Sequence, residues 1–311
     1  MKVFLDGHFV DDTDAGVSVH DAAMQHAVGL FETMQAFDGR VFRLEAHLQR
    51  LIDSARLLGL TQRLRLDPLC EAVELTLHEN DLTEARVRLT VTGGNLSLLA
   101  VARGKSQPNT HEPTVIITAH EPTLYPPGFF DNGVSVIIAD PKSNPFEPTA
   151  GHKTLIYWSR LQSLTAAAAS QAGEALWFSV TNHLCGGAVS NAILVRDQQL
   201  ISPIARGEEA DGAIASPVLP GITRAAVLEL AEQANIPIHR RMLSISDVLE
   251  ADELMLTNSS WQILPVVRVE SETIGDGTPG PITLQLRDAL LKSIESECRA
   301  TDEITDADDD A

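Results

Sequence analysis

The sequence is poor in positive charge and especially in lysine. Lysine and arginine together account for 23 of the 311 residues, against 43 aspartates and glutamates, so the formal net charge is −20. Proteins that bind nucleic acid or an anionic membrane present basic patches, and this balance argues against both kinds of partner. Part of the acidity lies in the last residues, 299–311, which we expect to form a solvated, disordered tail without a chemical role.

Cysteine and long hydrophobic runs are scarce as well. Cys70, Cys185 and Cys298 are odd in number and lack the spacing of a metal site, so we expect reduced thiols, a cytoplasmic location and no bound metal. No apolar run approaches the ~18 residues that a membrane helix needs, and the N-terminus has no apolar signal core. These absences favour a soluble, intracellular protein.

The chain is long enough for about two domains. The stretch EPTLYPPGFFDNG from residue 121 contains three prolines and two glycines, which makes residues 121–132 the best candidate for an interdomain linker. Strands and helices are mixed on both sides of it. This pattern predicts an α+β (mixed α/β) architecture with a small N-terminal domain at 1–120 and a larger C-terminal domain at 133–298.

Hydrophobic periodicity locates several elements. Apolar residues step by three and four along residues 44–58, which predicts a helix, and residues 67–80 predict a second one. The sequence RVRLTVT from Arg86 alternates polar and apolar side chains, as is typical of a half-buried strand. In the second half we expect strands at 134–139, 175–180 and 188–195 and helices at 223–234 and 282–298.

Lys153 stands in an unusual place for one of only five lysines. The segment AGHKTLIYWSRLQSLTAAAA, residues 150–169, predicts an apolar helix with this lysine at its head. A cation there faces the positive end of the helix dipole, which is unfavourable for a free ammonium group. We infer that Lys153 is either plainly solvated or carries a specific chemical function.

Three further segments have features of an anion site. LPGITR places Pro-Gly before a helix start, where the free N–H groups of Ile222 and Thr223 suit a phosphate; alternatively, Thr223 only caps its own helix. HLQRL puts Arg50 on the polar face of an early helix, where a merely solvated arginine is ordinary. LTNSSW puts Ser259 directly after a strand, where it is either a ligand or part of a polar turn.

Together with Lys153, these segments resemble the class IV, fold-type IV pyridoxal-phosphate enzymes. This family includes branched-chain and D-amino acid aminotransferases and aminodeoxychorismate lyase. The resemblance covers roughly residues 1–290 and rests on the order and spacing of GLFET (29–33), HLQRL (47–51), GHKTLIY (151–157), AVSN (188–191), LPGITR (219–224) and ADELMLTNSSWQILPV (251–266). It implies a two-domain fold similar to D-amino acid aminotransferase, pyridoxal 5′-phosphate as cofactor, and a homodimer.

The resemblance also implies roles for individual residues. Lys153 would hold the cofactor as a Schiff base and move a proton at the α-carbon of the substrate. Tyr157 would approach the phenolic oxygen of the cofactor, and Glu32 would lie near the lysine. Four residues would form a cup for the cofactor phosphate: Arg50, Ile222, Thr223 and Ser259. Three would line the substrate pocket: Phe31, Ser260 and Trp261.

One cofactor-binding position departs from the family. A glutamate that keeps the pyridine nitrogen protonated normally stands four residues before the Ser-Asn pair, and here that position is Gly186. Without a carboxylate the ring nitrogen should be protonated less often, and the cofactor should be a poorer electron sink. Another acid or a water-linked group then replaces the glutamate, or the chemistry depends less on a stabilised carbanion, or the chain binds the cofactor without activity.

The substrate stays open on the sequence alone. An aminotransferase acting on an amino acid and a 2-oxo acid is the leading prediction, and aminodeoxychorismate lyase, which forms 4-aminobenzoate and pyruvate, is the alternative. VTGGNLSLL, residues 91–99, lacks the arginine-rich loop expected of the lyase and leaves no obvious arginine there for a substrate carboxylate. A cofactor-binding pseudoenzyme is the third hypothesis, because of Gly186.

Overall fold

A computed structural model of the protein describes residues 1–95 and 112–299. Within these residues the strands form two sheets, and the chain completes the first before it begins the second. Helices pack against both sheets, which confirms the predicted mixed α+β class. No helix in the described ranges is long and apolar enough to cross a membrane.

The first sheet is antiparallel throughout. Its strands are β1 Lys2–Leu5, β2 His8–Asp11, β3 Gly29–Phe37, β4 Arg40–Val41, β5 Ala85–Thr92 and β6 Val115–His120, in the order β2-β1-β6-β5-β3-β4. The helices in this part are α1 Ala22–His26, α2 Leu44–Leu57 and α3 Leu66–His78. β5 alternates as predicted: Val87, Leu89 and Val91 are buried in an apolar core with α2 and α3, and Arg86 and Arg88 take the other face.

The second sheet mixes parallel and antiparallel pairs. Its strands are β7 Val134–Ile138, β8 Glu174–Phe178, β9 Leu184–Gly187, β10 Asn191–Arg196, β11 Gln199–Ser202, β12 Ile238–Arg240, β13 Glu253–Asn258, β14 Gln262–Val269 and β15 Glu272–Thr273. The order is β12-β11-β10-β13-β14-β7-β8-β9, with β15 beside β14. The helices are α4 Gly128–Asp131, α5 Trp158–Ala169, α6 Ile222–Gln233, α7 Ile245–Leu249 and α8 Pro281–Cys298. α6 and α8 share one apolar core with this sheet.

The helix predicted to begin beside Lys153 begins later, at Trp158. The backbone around Lys153 is extended and runs beside β3. The Phe31 N–H donates to the Lys153 carbonyl at 3.0 Å, and the Leu155 N–H donates to the Gly29 carbonyl at 3.0 Å. The prediction that Lys153 faces a helix dipole is therefore wrong, because pairing with β3 holds this segment.

The strand predicted over residues 188–195 is wrong in its first part. Residues 188–190 form a turn between β9 and β10. The buried carboxylate of Glu174 stabilises this turn, since it accepts hydrogen bonds from the N–H groups of Ala188 and Val189, both at 3.2 Å. The β9–β10 turn forms part of the cavity wall described below.

The linker at residues 121–132 stays a prediction, although the two sheets lie on either side of it in the chain. Its last residues form α4, where Phe129 and Phe130 pack against the core of the second sheet. The acidic tail from residue 300 onward lies outside the described residues, as does the second half of the VTGGNLSLL segment.

Candidate active site

A cavity of about 480 Å³ lies between the two sheets. Its walls come from β3 and β5, from the extended segment around Lys153, from the β9–β10 and β13–β14 turns, and from the starts of α5 and α6. Of the eleven residues given roles above, nine line it: Phe31, Arg50, Lys153, Tyr157, Ile222, Thr223, Ser259, Ser260 and Trp261. Glu32 lies behind Arg50 and is not among the lining residues. Gly186 is not among the lining residues, although its neighbours Cys185 and Gly187 are.

Lys153 places its ammonium group in this cavity. Nζ lies 4.6 Å from the centre of the Phe31 ring, and no carboxylate of the described residues forms an ion pair with it. Burial lowers the pKa of Lys153, and although Tyr157 and Glu32 oppose this shift, Arg50 and Arg160 reinforce it. A lowered pKa leaves more of this amine unprotonated near neutral pH, and only the unprotonated amine can act as a nucleophile or a base.

A buried network holds Arg50 at one end of the cavity. Nε and Nη2 of Arg50 donate to the two carboxylate oxygens of Glu32 at 2.8 and 2.6 Å, and Nη1 donates to the Pro220 carbonyl at 2.8 Å. His47 Nδ1 lies 2.9 Å from Glu32 Oε2. Burial alone would raise the pKa of Glu32, but Arg50 and His47 bring it down to about 2. The carboxylate is therefore ionised, and Arg50 is fixed by three hydrogen bonds.

The same network extends to Ser259. Burial lowers the pKa of His47 despite the opposing effect of Glu32, which favours the neutral imidazole near neutral pH. Because Glu32 is ionised, His47 Nδ1 carries the proton and donates to it, which leaves Nε2 as an acceptor. Nε2 lies 3.4 Å from Ser259 Oγ. This long contact lets the hydroxyl turn toward an anion in the cavity.

The start of α6 completes this end of the cavity. Gly221 is its N-cap and no side chain caps it, so the first N–H groups of the helix are available to a ligand. The alternative that Thr223 only caps its own helix is wrong, because Gly221 holds the cap position. A Cβ at Gly221 would collide with the Asn191 side chain, whose Nδ2 donates to the Leu219 carbonyl at 2.8 Å. Free N–H groups, a helix dipole and Arg50 together suit a phosphate.

Two arginines on β5 were not among the predicted site residues. Arg86 and Arg88 line the cavity from the polar face of the strand, and the Arg88 guanidinium lies 3.9 Å from the centre of the Phe31 ring. Neither pairs with a carboxylate of the described residues. Burial lowers the pKa of Arg88, and the nearby charge of Arg86 lowers it further. Arginines thus stand on the strand itself, whereas the sequence prediction considered only the loop after it.

Aromatic rings form the remaining walls. The Phe31 and Tyr157 rings meet edge to face with centres 5.2 Å apart, and Tyr125 and Trp261 do so at 5.7 Å. Such walls suit a planar, partly apolar ligand. Among the described residues no group of three His, Cys, Asp or Glu side chains is placed to hold a metal ion.

Fold and site together place a lysine amine, a partly buried arginine and an uncapped helix start in one aromatic-walled cavity. The chain belongs to the amino-transferase class IV family, whose sequence pattern matches residues 29–269. Membership confirms the predicted family and an enzyme of the aminotransferase class. Enzymes of this class use pyridoxal 5′-phosphate, the cofactor that the sequence predicted.

Individual relatives support this assignment. A putative branched-chain-amino-acid aminotransferase of Methanocaldococcus jannaschii is 30% identical over 289 residues, which cover 93% of this chain and 94% of that protein. The branched-chain amino acid aminotransferase of Escherichia coli has a similar structure, with a TM-score of 0.84, 26% identity and 97% of both chains covered. The 4-amino-4-deoxychorismate lyase of Pseudomonas aeruginosa gives a TM-score of 0.76 at 25% identity, with 93% of this chain and 98% of that chain covered. These similarities confirm the fold-type IV architecture.

Proposed function

We propose that the protein is a pyridoxal-phosphate-dependent aminotransferase that exchanges an amino group between an amino acid and a 2-oxo acid. The observation that carries this proposal is the position of Lys153 Nζ in the same cavity as Arg50, the uncapped start of α6 and Ser259. A lysine amine and a phosphate cup are the two anchors that this cofactor needs. The aminotransferase relatives support the same reaction class.

The residues present fit the cofactor. When bound, pyridoxal phosphate supplies an aldehyde that receives the amino group and a ring that delocalises charge from the α-carbon. Arg50, the N–H groups of Ile222 and Thr223, and the Ser259 hydroxyl would bind its phosphate. Lys153 would hold the cofactor and, as a base with a lowered pKa, take a proton from the α-carbon of the substrate. Tyr157 would face the phenolic oxygen.

Arg86 and Arg88 would bind the carboxylate of the substrate. Both guanidinium groups face the cavity, and no acid of the described residues neutralises them, so an anionic ligand gains charge-assisted hydrogen bonds there. Phe31, Ser260 and Trp261 would enclose the rest of the substrate. This arrangement supports an acid as substrate without selecting its side chain.

The active form would be a homodimer. Ile156, Trp158 and Leu161 are exposed apolar residues next to the cavity at the start of α5. A cluster of exposed apolar side chains is typical of a contact surface. A second subunit on this surface would cover part of the cavity mouth.

Assays with and without an amino acceptor test the proposed reaction. We expect amino transfer that depends on a 2-oxo acid and follows ping-pong kinetics, because one site serves both half-reactions. Lys153→Ala should abolish it, and Lys292→Ala, which changes an exposed lysine on α8, should not. Pyruvate released from aminodeoxychorismate without an acceptor would identify the lyase instead. Bound cofactor with neither activity would identify a pseudoenzyme.

A further inference from the structure

The cavity wall next to the β9–β10 turn carries a cation where the class places an acid. Arg160 extends from α5, and its Nη1 donates to the Ala188 carbonyl at 2.6 Å and, more weakly, to the Gly187 carbonyl at 3.4 Å. The guanidinium carbon lies 4.9 Å from the centre of the Trp177 ring, and Trp177 is the strand partner of Gly186. No carboxylate of the described residues pairs with Arg160.

Gly186 cannot be restored to an acid by a simple exchange of side chain. Its φ of +131° lies in a region that favours glycine, and a Cβ built there would lie 2.5 Å from the Ser190 carbonyl oxygen. The backbone at this position is therefore specific to glycine. A carboxylate for the cofactor must come from elsewhere or be absent.

The acid behind the turn does not replace it. Glu174 is fully buried and does not line the cavity. Its carboxylate accepts hydrogen bonds from the N–H groups of Ala175, Ala188 and Val189 and from the Ser190 hydroxyl, at 2.9 to 3.2 Å. Four donors occupy its oxygens, so this carboxylate stabilises the β9–β10 turn and is not available to a ligand.

The chemistry of the cofactor indicates which of its atoms faces this wall. In pyridoxal phosphate the ring nitrogen lies across the ring from the carbon that carries the aldehyde, and the phosphate arm is next to that carbon. Lys153 approaches from the side of β3, and the start of α6, whose N–H groups would bind the phosphate, packs on the second sheet. The nitrogen therefore faces the second sheet, whose contribution to the lining includes Gly187 and Ser190 of the β9–β10 segment.

We propose that Arg160 takes the place of the missing acid and keeps the pyridine nitrogen of the cofactor unprotonated. A fixed guanidinium charge disfavours a second positive charge on the ring and can donate a hydrogen bond to a neutral nitrogen. The ring then withdraws less negative charge from the α-carbon, so the reaction depends more on proton transfer by Lys153. The inference rests on the proposed function, because it concerns the cofactor of that site.

The protonation state can be observed without measuring activity. The protein is loaded with pyridoxal phosphate labelled with ¹⁵N in the ring, and the ¹⁵N NMR shift is recorded near neutral pH. We expect the wild-type signal in the range of a neutral pyridine. Arg160→Gln removes the charge but keeps an amide donor, and Arg160→Glu supplies a carboxylate; both should move the signal toward the pyridinium range, the second further. Arg86→Gln is the matched control, since it removes another cavity arginine and should leave the signal in place.

Three results would overturn the inference. The first is a pyridinium signal in the wild-type protein, and its loss in Glu174→Gln would then assign the proton to Glu174 acting through Ser190. The second is a neutral signal that Arg160→Gln and Arg160→Glu leave unchanged. The third is an equal shift in Arg86→Gln, which would show a general effect of cavity charge. Failure of the wild-type protein to bind the labelled cofactor would instead overturn the proposed function, and the inference with it.

Discussion

Glu32 shows how one buried side chain organises the end of the cavity where we propose that the phosphate binds. Its carboxylate binds Arg50 through two hydrogen bonds and fixes the tautomer of His47, which in turn contacts Ser259. A buried ion pair adds little net stability, since desolvation offsets much of the attraction. Its value here is positional, because two predicted phosphate ligands depend on the same carboxylate.

Glu32→Gln should lower the free energy of unfolding by about 3 kcal/mol near neutral pH, since it leaves Arg50 and His47 buried without their anion. The folded-state pKa of about 2 lies below the ordinary 4.5, so the contribution is complete above pH 4.5 and is lost as the pH falls toward 2. Urea unfolding of both proteins across this pH range checks the prediction, with the exposed Glu71→Gln as control. A difference that stays constant down to pH 2 would contradict an ionised Glu32.

Arg86→Gln and Arg88→Gln should each raise KM for the acid substrate about tenfold to a hundredfold. The physical reason is the loss of a charge-assisted hydrogen bond, which contributes roughly 1.5 to 3 kcal/mol. Steady-state kinetics check this, with Arg268→Gln, an exposed residue of β14, as control. If kcat fell while KM stayed constant, these arginines would not be binding the ground-state substrate.

At the scale of elements, the sequence predicts the helices and strands that bury only one face. α2, α3 and α8 each bury one apolar side, and their bounds agree with the prediction to within about two residues. β3 was not predicted, because its first residues are buried on both faces and its pattern does not alternate. The segment around Lys153 was misassigned because its partner, β3, is more than a hundred residues away. Local periodicity carries no information about such a contact.

Site residues that belong to sequence motifs could be predicted, whereas those placed by pairing between distant strands could not. Lys153, Arg50 and Ser259 were found through the resemblance, and the structure brings them to one cavity. The sequence does not predict Arg86 and Arg88 as site residues, because the polar face of a strand is expected to be solvent-exposed unless a second layer covers it. Arg160 lies in the first turn of α5, which begins at Trp158 and not beside Lys153 as predicted. The sequence therefore does not show that Arg160 borders the cavity. The alternation Arg86-Val87-Arg88 is the sequence feature that indicates two arginines on one face of β5.

Gly221→Ala should weaken pyridoxal phosphate binding about tenfold, roughly 1.4 kcal/mol. The added methyl group collides with the Asn191 side chain and displaces the start of α6, where the phosphate would bind. Fluorescence titration with the cofactor measures the change. Gly16→Ala is the control, because a Cβ there meets nothing within 4 Å. Unchanged affinity would argue against a phosphate at this helix start.

At the scale of the whole molecule, the charge is distributed unevenly. The net charge is −20, yet no aspartate or glutamate of the described residues lines the cavity, which instead contains Lys153 and several arginines. The excess negative charge therefore lies elsewhere and repels itself, and the cavity keeps a local attraction for anions. Folding stability and ligand binding thus depend on different parts of the charge distribution.

Salt should stabilise the fold. Raising the ionic strength from about 0.01 to 0.15 M shortens the Debye length from about 30 to about 8 Å and screens the repulsion among acidic side chains. We expect Tm to rise across this range, as measured by thermal unfolding of the protein without cofactor. A Tm that falls would show that attractive ion pairs outweigh the net charge.

The measurement that tests the central claim most directly is the site of cofactor attachment. The purified protein, loaded with pyridoxal phosphate, is reduced with borohydride, digested, and mapped by mass spectrometry, with Lys153→Ala and Lys292→Ala treated in parallel. We predict that the cofactor is trapped on Lys153 in the wild-type and Lys292→Ala proteins and is not trapped in Lys153→Ala. Attachment to another lysine, or equal trapping in Lys153→Ala, would contradict the proposed role of Lys153 and with it the reaction assigned to this cavity.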